Sequence, residues 1–250
     1  MKIFSFNING LQSAWDAHLK SFIRELVADI FCMQEIRTSK NLGSYFIPEY
    51  HEYYCPSSRP GYSGVGLFTR HLPRCLIQGI GVPSRAEDGR AITMETKTFY
   101  GVNVYAPASG QNRERLQEKV LWMDDLHRYV SYLEGIKPVI LCGDMNVAGS
   151  LKDLPSEQVA TESAGNTNEE KTAFNRLIDL GYCDVWHLCH PNERGISWTP
   201  NWAKNRHEHD TGWRLDYFLV SNKLLDRVRN CQILDANEIS DHRCLYLDLK

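Results

Sequence analysis

The chain has 250 residues, with 28 Lys and Arg against 31 Asp and Glu, and a formal net charge of −3. Hydrophobic residues make up 42% and charged residues 24%, which is the usual balance of a globular protein. This composition excludes a disordered chain, a collagen-like fibre and a small disulfide scaffold. The near-neutral charge argues against a protein that coats nucleic acid or membranes through bulk positive charge, but it does not exclude a local basic groove.

The N-terminus and the cysteines predict an intracellular protein. The opening run MKIFSFNING reaches the polar Asn7 and Asn9 too early for a secretory signal, and no apolar run approaches the roughly 18 residues of a membrane span. Several of the eight cysteines, such as Cys32 and Cys142, lie inside apolar runs, as buried free thiols do in a reducing compartment. No CxxC pair signals a zinc ribbon or a thioredoxin-like site. We therefore expect a cytoplasmic location without membrane contact.

Short apolar runs alternate with helical patterns along the chain. Residues 3–8 and 29–35 predict two buried strands, and apolar residues between 19 and 26 repeat at helical spacing. Further strands are predicted at 64–70, 91–96, 99–105, 139–142, 197–199, 215–220 and 244–249. A long amphipathic helix is expected to bury Leu116, Val120, Met123, Val130 and Leu133, and a shorter one lies around Phe174. Strands mixed with helices predict an α/β sandwich in one domain over residues 1–250.

The most polar segment is 150–170, which carries one lysine against five acidic residues. Strand patterns continue on both sides of it. We therefore interpret it as a solvated excursion from the domain and not as a boundary between two domains.

Polar side chains follow or precede the buried strands at five places. These are Asn7 with Asn9, Gln34 with Glu35, Tyr105, Asp144 with Asn146, and Asp241 with His242. Each one alone is more often a turn residue or a helix cap than a catalytic group. Strand ends of α/β sheets converge where ligands bind, and carboxylate and amide oxygens are the ligands that Mg²⁺ prefers. The set together predicts a magnesium-dependent site.

The same positions carry a resemblance to a known family. The motifs, in chain order, are FNINGL at 6–11, QE at 34–35, GYSGV at 61–65, DGR at 88–90, NVYAP at 103–107, GDMNVA at 143–148, GWRLDY at 212–217 and SDH at 240–242. Together they resemble the exonuclease III family of apurinic/apyrimidinic (AP) endonucleases, within the exonuclease–endonuclease–phosphatase superfamily. GDxN and SDH are shared across the superfamily, whereas GWRLDY and GYSGV are narrower. The resemblance covers essentially the whole chain.

The resemblance implies both a fold and an activity. The fold is a four-layered α/β sandwich, in which two packed mixed β-sheets are flanked by helices. The activity is that of an Mg²⁺-dependent DNA repair nuclease, in which Mn²⁺ can substitute, cleaving the phosphodiester 5′ to abasic sites. Side activities would be 3′-5′ exonuclease and 3′-phosphodiesterase or phosphatase. The partner would be double-stranded DNA with abasic sites or 3′-blocked ends, bound by a monomer.

The resemblance also implies roles for the residues at the strand ends. Glu35 resembles the main Mg²⁺ carboxylate, with Asn7 beside it. Asp144 resembles the residue that orients and deprotonates the attacking water, and Asn146 the residue that holds water and phosphate; both are also expected near the metal. The alternative for Asp144 is a solvated turn acid.

The remaining roles concern the phosphate and the metal edge. His242 resembles the group that binds the scissile phosphate oxygen, Asp216 the acid that orients it, and Tyr105 a phosphate donor. Asp241 is expected to reach a metal. A single histidine would ordinarily be structural, so His242 is favoured through its motif alone.

Substrate contacts are expected at four further residues, Asn9, Arg113, Asp210 and Trp213. Trp213 resembles the tryptophan that packs against the extruded base-less sugar, although a tryptophan in an apolar strand run is usually core. Asp210 stands where the family usually carries Asn, and an extra carboxylate there should repel phosphate.

Basic residues near the expected cleft offer contacts to backbone phosphates. Arg113 and Lys119 lie near the long helix, and Lys204 and Arg206 precede Trp213. The alternative for Arg113 is a salt-bridged helix face with nearby glutamates. Two histidine pairs, 187 with 190 and 207 with 209, fit no standard zinc spacing and are expected to bind no metal.

Two other functions are compatible with parts of the sequence. A non-catalytic nucleic-acid-binding homologue would keep the fold and lose the acids, whereas Glu35, Asp144 and Asp216 are intact here. A superfamily phosphoesterase for lipid or inositol phosphates is disfavoured by the GWRLDY motif.

Overall fold

The computed structural model describes residues 1–158, 162–200 and 211–250, and in these ranges it contains two six-stranded β-sheets. The first sheet holds β1 (Lys2–Asn7), β2 (Ile30–Gln34), β3 (His51–Cys55), β4 (Val65–Thr69), β11 (Val228–Leu234) and β12 (Cys244–Leu249). The second holds β5 (Cys75–Gln78), β6 (Ala91–Glu95), β7 (Tyr100–Tyr105), β8 (Val139–Asp144), β9 (Tyr182–Asp184) and β10 (Asp216–Ser221). The helices are α1 (Leu11–Asp16), α2 (Leu19–Leu26), α3 (Leu116–Glu134), α4 (Asn168–Asp179) and α5 (Val185–Cys189).

Both sheets are mixed and share one pattern of connection. Their strand orders are β11-β12-β1-β2-β4-β3 and β5-β6-β7-β8-β10-β9. Only β1 with β2 and β7 with β8 run parallel among these strands, and helices connect both pairs: α1 with α2 in the first sheet and α3 in the second. A parallel pair requires such a crossover, and it places the carboxyl ends of its two strands at the same edge. This topology brings the ends of four strands to one side of the molecule.

Three apolar layers hold the elements together. The layer between the sheets includes Cys32, Leu67, Cys142 and Phe218, all at most 4% exposed. A second layer packs α3 and α4 on the second sheet, and a third packs α1 and α2 on the first. The result is helices, sheet, sheet and helices in four layers, which confirms the predicted fold class.

Two expectations about local structure are wrong. The predicted strand at 197–199 reduces to the single bridge residue Trp198, which pairs with Trp213 and His242, because its partners are loop residues and not a strand. The segment 150–170 is not simply a solvated excursion: Asp153 and Glu170 in it are at most 1% exposed. Their charges are neutralised by Arg214 and Lys119, which allows acidic residues to be buried.

The inner face of α3 also differs from the expected one. Met123, Val130 and Leu133 are buried as predicted, but Leu116 and Val120 are only half-buried. Lys119 takes the fully buried position in that turn, because its ammonium group has an acidic partner there. All eight cysteines are free thiols, five of them buried. None of the helices in the described ranges is long and apolar enough to cross a membrane.

Candidate active site

The strand register places the site residues opposite one another. Tyr105 at the end of β7 and Asp216 at the start of β10 both pair with Asp144, which ends β8. Gly143 makes this close approach feasible: its φ is 134°, and a Cβ there would lie 1.9 Å from the Val104 carbonyl oxygen. In the other sheet Asn7 ends β1 beside the end of β2. The predicted residues therefore meet at one edge of the sandwich.

A buried amide joins the two carboxylates of the site. Asn7 Nδ2 donates to Glu35 Oε1 at 2.8 Å and to Asp144 Oδ2 at 2.9 Å. Its Oδ1 accepts the backbone N–H of Asn9 at 3.1 Å. The second oxygen of Glu35 accepts Arg37 Nε at 2.9 Å. In this arrangement Asn7 orients both acids through its amide nitrogen, and a role as metal ligand would require the amide to turn over.

The carboxyl group of Asp144 has a raised pKa. Burial raises the pKa of Asp144 to about 7, with repulsion from Asp216 and Glu35 adding to it, while His242 acts in the opposite direction. Its Oδ1 accepts the backbone N–H of Asn146 at 2.8 Å. A carboxylate that titrates near neutral pH is suited to accepting a proton from water.

His242 is held as a cation. Its Nδ1 lies 2.8 Å from Asp216 Oδ2, and its Nε2 lies 4.0 Å from Asp144 Oδ2. Burial alone would lower the pKa of His242, but the carboxylates of Asp216, Asp144 and Asp241 outweigh it and raise the pKa to about 10. Ser197 Oγ donates to Asp216 Oδ2 at 2.7 Å and fixes that carboxylate. The imidazolium carries hydrogen on both nitrogens and presents a positive charge beside Asp144.

Tyr105 and Asn146 are two further polar groups at this edge of the sandwich. Burial raises the pKa of Tyr105 well above its usual range, and the charges of Glu35 and Asp144 raise it further, so its hydroxyl stays a donor. Asn146 has a left-handed φ of 50°, and its Nδ2 donates to the Ala106 carbonyl at 3.0 Å. Both side chains therefore reach the site as neutral hydrogen-bonding groups.

The chemistry of the donor set fits a hard divalent cation. Glu35, Asp144 and His242 offer atoms within 4.8 Å of one another. Because His242 is protonated, the carboxylate oxygens are the suitable ligands, and Mg²⁺ and Mn²⁺ prefer oxygen donors. Asp241 lies at the same edge and accepts Asn9 Nδ2 at 2.8 Å.

A cleft of about 720 Å³ opens over these groups. Its walls include Trp213, Trp198 and Leu215, and its floor includes Glu35 and Asp144. Trp213 and Trp198 exchange backbone hydrogen bonds at 2.8 and 2.9 Å. Trp213 is half-buried on the wall and is thus no ordinary core residue. The cleft therefore has an apolar wall and a floor that carries both negatively and positively charged side chains.

The basic residues selected from sequence have mixed outcomes. Lys119 is wrong as a DNA contact, because it is 1% exposed and its ammonium is paired with Glu170 at 2.8 Å. Arg113 is exposed and pairs with Glu162 at 3.2 Å, not with its helix neighbours. Asp210 and the other residues of 201–210 selected from sequence, Lys204, Arg206, His207 and His209, lie outside the described residues, and the expectations for them stay predictions. His187 pairs with the carboxylates of Asp153 and Asp184.

Sequence reasoning missed four residues that shape the site. Trp198 Nε1 donates to Asp241 Oδ2 at 3.1 Å, and Ser197 supports Asp216. Both residues fall in the stretch that the sequence predicts as a strand. The serine next to a tryptophan was the one sequence feature there that pointed to a site. Arg37 follows Glu35 by two residues, and Arg90 lies with its guanidinium 5.0 Å from the Tyr105 ring centre. Arg90 belongs to the DGR motif and Arg37 follows the QE motif by two residues, but the sequence does not indicate where their side chains point.

Comparison with known proteins defines the class. A model of the endonuclease/exonuclease/phosphatase family matches residues 4–242, and the chain belongs to this family, as the motifs predicted. An exodeoxyribonuclease of Bacillus subtilis is 34% identical over 97% of this chain and 96% of its own length. A Dictyostelium discoideum DNA-(apurinic or apyrimidinic site) endonuclease is 33% identical over 92% of this chain and 64% of its own length. The structure of an AP endonuclease from Archaeoglobus fulgidus matches with a TM-score of 0.88 and 27% identity, covering 100% of this chain and 99% of that one.

Proposed function

We propose that this protein is an Mg²⁺-dependent DNA repair nuclease that hydrolyses the phosphodiester 5′ to an abasic site in double-stranded DNA. The products would be a 3′-hydroxyl and a 5′-deoxyribose phosphate. One observation carries the proposal. The carboxyl group of Asp144, whose pKa is raised to about 7, lies beside the buried imidazolium of His242, below a cleft walled by two tryptophans. Relatives with nuclease names, matching nearly the full length of this chain, support a hydrolytic nuclease.

Glu35 is the residue best suited to hold the cation, with Asp144 and Asp241 at the same edge. When bound, Mg²⁺ would neutralise charge on the phosphate and stabilise the leaving oxygen. Asn7 aligns the two carboxylates, and Arg37 restrains the outer oxygen of Glu35. Asn7, Asn146 and Asp241 remain proposals as direct ligands.

The protein groups divide the work on the phosphate. Asp144 would accept the proton of the attacking water, since its pKa lies in the range where it is both ionised and basic at neutral pH. His242 and Tyr105 would donate to the phosphate oxygens, which gain charge in the transition state. Asp216 would hold the imidazole of His242 in one orientation. Asn146 would orient the water and the phosphate together.

The aromatic wall suggests why a base-less site is the substrate. An abasic nucleotide has no base to unstack, so it leaves the duplex at low cost. Trp213, Trp198 and Leu215 offer apolar surface on which its sugar ring can pack. Asn9 and Arg113 would contact the flanking backbone. A 3′-terminal nucleotide or a 3′-blocking group is joined to the strand by a phosphate at its end, which is consistent with 3′-5′ exonuclease and 3′-phosphodiesterase or phosphatase side activities.

The alternatives lack a supporting observation of this kind. A non-catalytic DNA-binding homologue has no need for a raised pKa at Asp144 or for an imidazolium beside it. A lipid or inositol phosphoesterase has no need for two indoles beside the phosphate floor. We also propose that the protein acts as a monomer in the compartment that holds the DNA, where its buried thiols stay reduced.

A substrate panel tests the proposal. Purified protein with Mg²⁺ is offered an abasic duplex, the same duplex with an intact base, a 3′-phosphate duplex end and an inositol polyphosphate. We expect the abasic duplex to give the highest kcat/KM, with weaker action on the 3′-phosphate end. Preferred hydrolysis of the inositol phosphate, or DNA binding without hydrolysis, would overturn it in favour of one of the two alternatives.

A further inference from the structure

A buried ion pair lies directly beneath the site, and the proposed mechanism does not use it. Lys119 near the start of α3 and Glu170 in the first turn of α4 are 1% and 0% exposed at their side chains, with Nζ and Oε1 2.8 Å apart. Desolvation of two charges is costly, and well-packed apolar residues usually stabilise a core as well or better. A buried pair is thus weak evidence for stability and calls for another explanation.

The contacts of the pair lead to the cleft. Besides Glu170, Lys119 Nζ donates to the backbone carbonyl of Asn146. The Glu170 carboxylate accepts the backbone N–H of Gly165 at 2.9 Å and that of Thr167 at 3.1 Å. Asn146 and Gly165 both line the cleft. The ion pair therefore connects two cleft segments that are distant in sequence.

Both segments adopt left-handed backbone conformations, which cost energy at Asn146 but not at Gly165. Asn146 has a φ of 50° and Gly165 a φ of 81°, which are left-handed conformations. A Cβ on Gly165 would lie 3.1 Å from the Asn146 carbonyl oxygen and 3.4 Å from the Trp213 ring. The Gly165 carbonyl accepts the N–H of Ala148 at 2.8 Å. A small change in the Asn146 backbone would consequently move the cleft wall beside Trp213 as well.

We propose that Lys119 is a positioning residue for catalysis, acting through the Asn146 carbonyl and, through Glu170, on the wall at Gly165. The side chain of Lys119 touches no substrate. It holds the peptide of Asn146 in the left-handed conformation that points the side-chain amide toward Asp144 and the reacting phosphate. This inference rests on the proposed nuclease function.

The variants separate positioning from folding. Lys119→Met alone leaves the Glu170 carboxylate buried without a partner and can prevent folding. The double variant Lys119→Met/Glu170→Gln removes both charges while an amide oxygen still accepts from Gly165 and Thr167. Glu170→Gln alone keeps the Lys119 contact to Asn146. Lys137→Met is the matched control, because Lys137 also binds a glutamate, Glu95, and a backbone carbonyl, but at the opposite end of β8.

Single-turnover and steady-state kinetics on an abasic duplex give the first readout. We expect the double variant to lose about 10²-fold in kcat, the loss typical of a reacting group displaced by about 1 Å, with less than about threefold change in KM. Glu170→Gln and Lys137→Met should stay within about fivefold of the wild-type kcat. A folded double variant with wild-type kcat, or an equal loss in the Lys137→Met control, would overturn the inference.

Hydrogen–deuterium exchange gives a readout that does not depend on activity. We expect faster exchange in the segments 145–149 and 163–167 of the double variant, and unchanged exchange there in Lys137→Met. Unchanged exchange in the double variant would contradict the positioning role. A wild-type protein that cleaves no DNA would instead contradict the proposed function, and the exchange comparison would still decide the role of Lys119.

Discussion

At the scale of single residues, the site moves the pKa values of two neighbouring groups upward together, from those of an ordinary aspartate and an ordinary histidine. The pKa of Asp144 is raised to about 7 and that of His242 to about 10, so the ionised acid and the imidazolium coexist above pH 7. Burial raises the first, whereas three carboxylates around the second outweigh burial. The pH range in which the carboxylate and the imidazolium are both charged is thereby moved from acidic to neutral and mildly alkaline pH.

The pH dependence of kcat follows from these directions. A base acts only when it is deprotonated, and a raised pKa moves the loss of that form to higher pH. We expect kcat to fall as pH drops below about 7, where an ordinary aspartate would still be ionised. A bound cation would move the midpoint downward. A profile measured at saturating Mg²⁺ that stays flat down to about pH 4 would contradict this role.

Replacing the carboxylate of Asp144 by an amide should separate chemistry from binding. Asp144→Asn removes the base and keeps the shape, so turnover should be abolished while affinity for abasic DNA is retained or increased, because one negative charge near phosphate is lost. Kinetics and fluorescence anisotropy on one duplex measure the two effects. Equal loss of binding and turnover in a variant with normal thermal stability would assign Asp144 a structural role.

Removing the carboxylate of Glu35 tests the metal assignment. Glu35→Ala should lower kcat by about 10²-fold or more, comparable with the loss of a major electrostatic stabiliser. It should also weaken binding of Mn²⁺, measured directly by electron paramagnetic resonance. Glu52→Ala, in the edge strand β3, is the control and should leave both quantities unchanged. Wild-type cleavage by Glu35→Ala in excess chelator would exclude the assignment.

At the scale of elements, the sequence predicts the interior strands of each sheet but not the edge strands. All eight interior strands were predicted, because most of their residues are buried and their sequences are largely apolar. The four missed strands, β3, β5, β9 and β11, are the four edges of the two sheets. Edge strands are half solvated and short or polar, so they lack an apolar run.

The residues of the candidate site likewise differ in how well the sequence predicts them. Residues at the ends of interior strands, such as Glu35 and Asp144, could be placed together from sequence, because the topology of the sheets determines where those ends lie. Ser197, Trp198 and Lys119 could not, because their roles depend on loop geometry and on partners far away in the chain. Lys119 in particular is a residue type that often contacts DNA, but it is buried like a core residue.

A polar link between the sheets gives an element-scale prediction. Asn103 of β7 accepts Gln34 Nε2 at 2.7 Å and donates to the carbonyls of Met33 and Gly66. Asn103→Val should lower the free energy of unfolding by about 2 kcal/mol, since it leaves buried groups without partners. The control Gln232→Val, at an exposed position of β11, should change it by less than about 0.5 kcal/mol. Urea unfolding of both variants provides the measurement, and equal stabilities would contradict the role of the link.

At the scale of the whole molecule, a chain with net charge −3 would have to bind the proposed DNA substrate, a polyanion, through a local surface. Arg37 and Arg113 are each more than 40% exposed at their side chains and lie at or beside the cleft, where they can offset the acidic floor. The sandwich supports this arrangement, because strand ends from both sheets supply the proposed catalytic groups and the loops between them supply the wall of the cleft.

The most direct test is incision of one duplex that carries a single abasic site, labelled at its 5′ end. The wild-type protein should cut immediately 5′ to the site in Mg²⁺, leave a 3′-hydroxyl, lose the activity in chelator and recover it when Mg²⁺ or Mn²⁺ is restored. The identical duplex with an intact base should be cut far more slowly. Incision 3′ to the site, or incision that persists in chelator, would contradict the account.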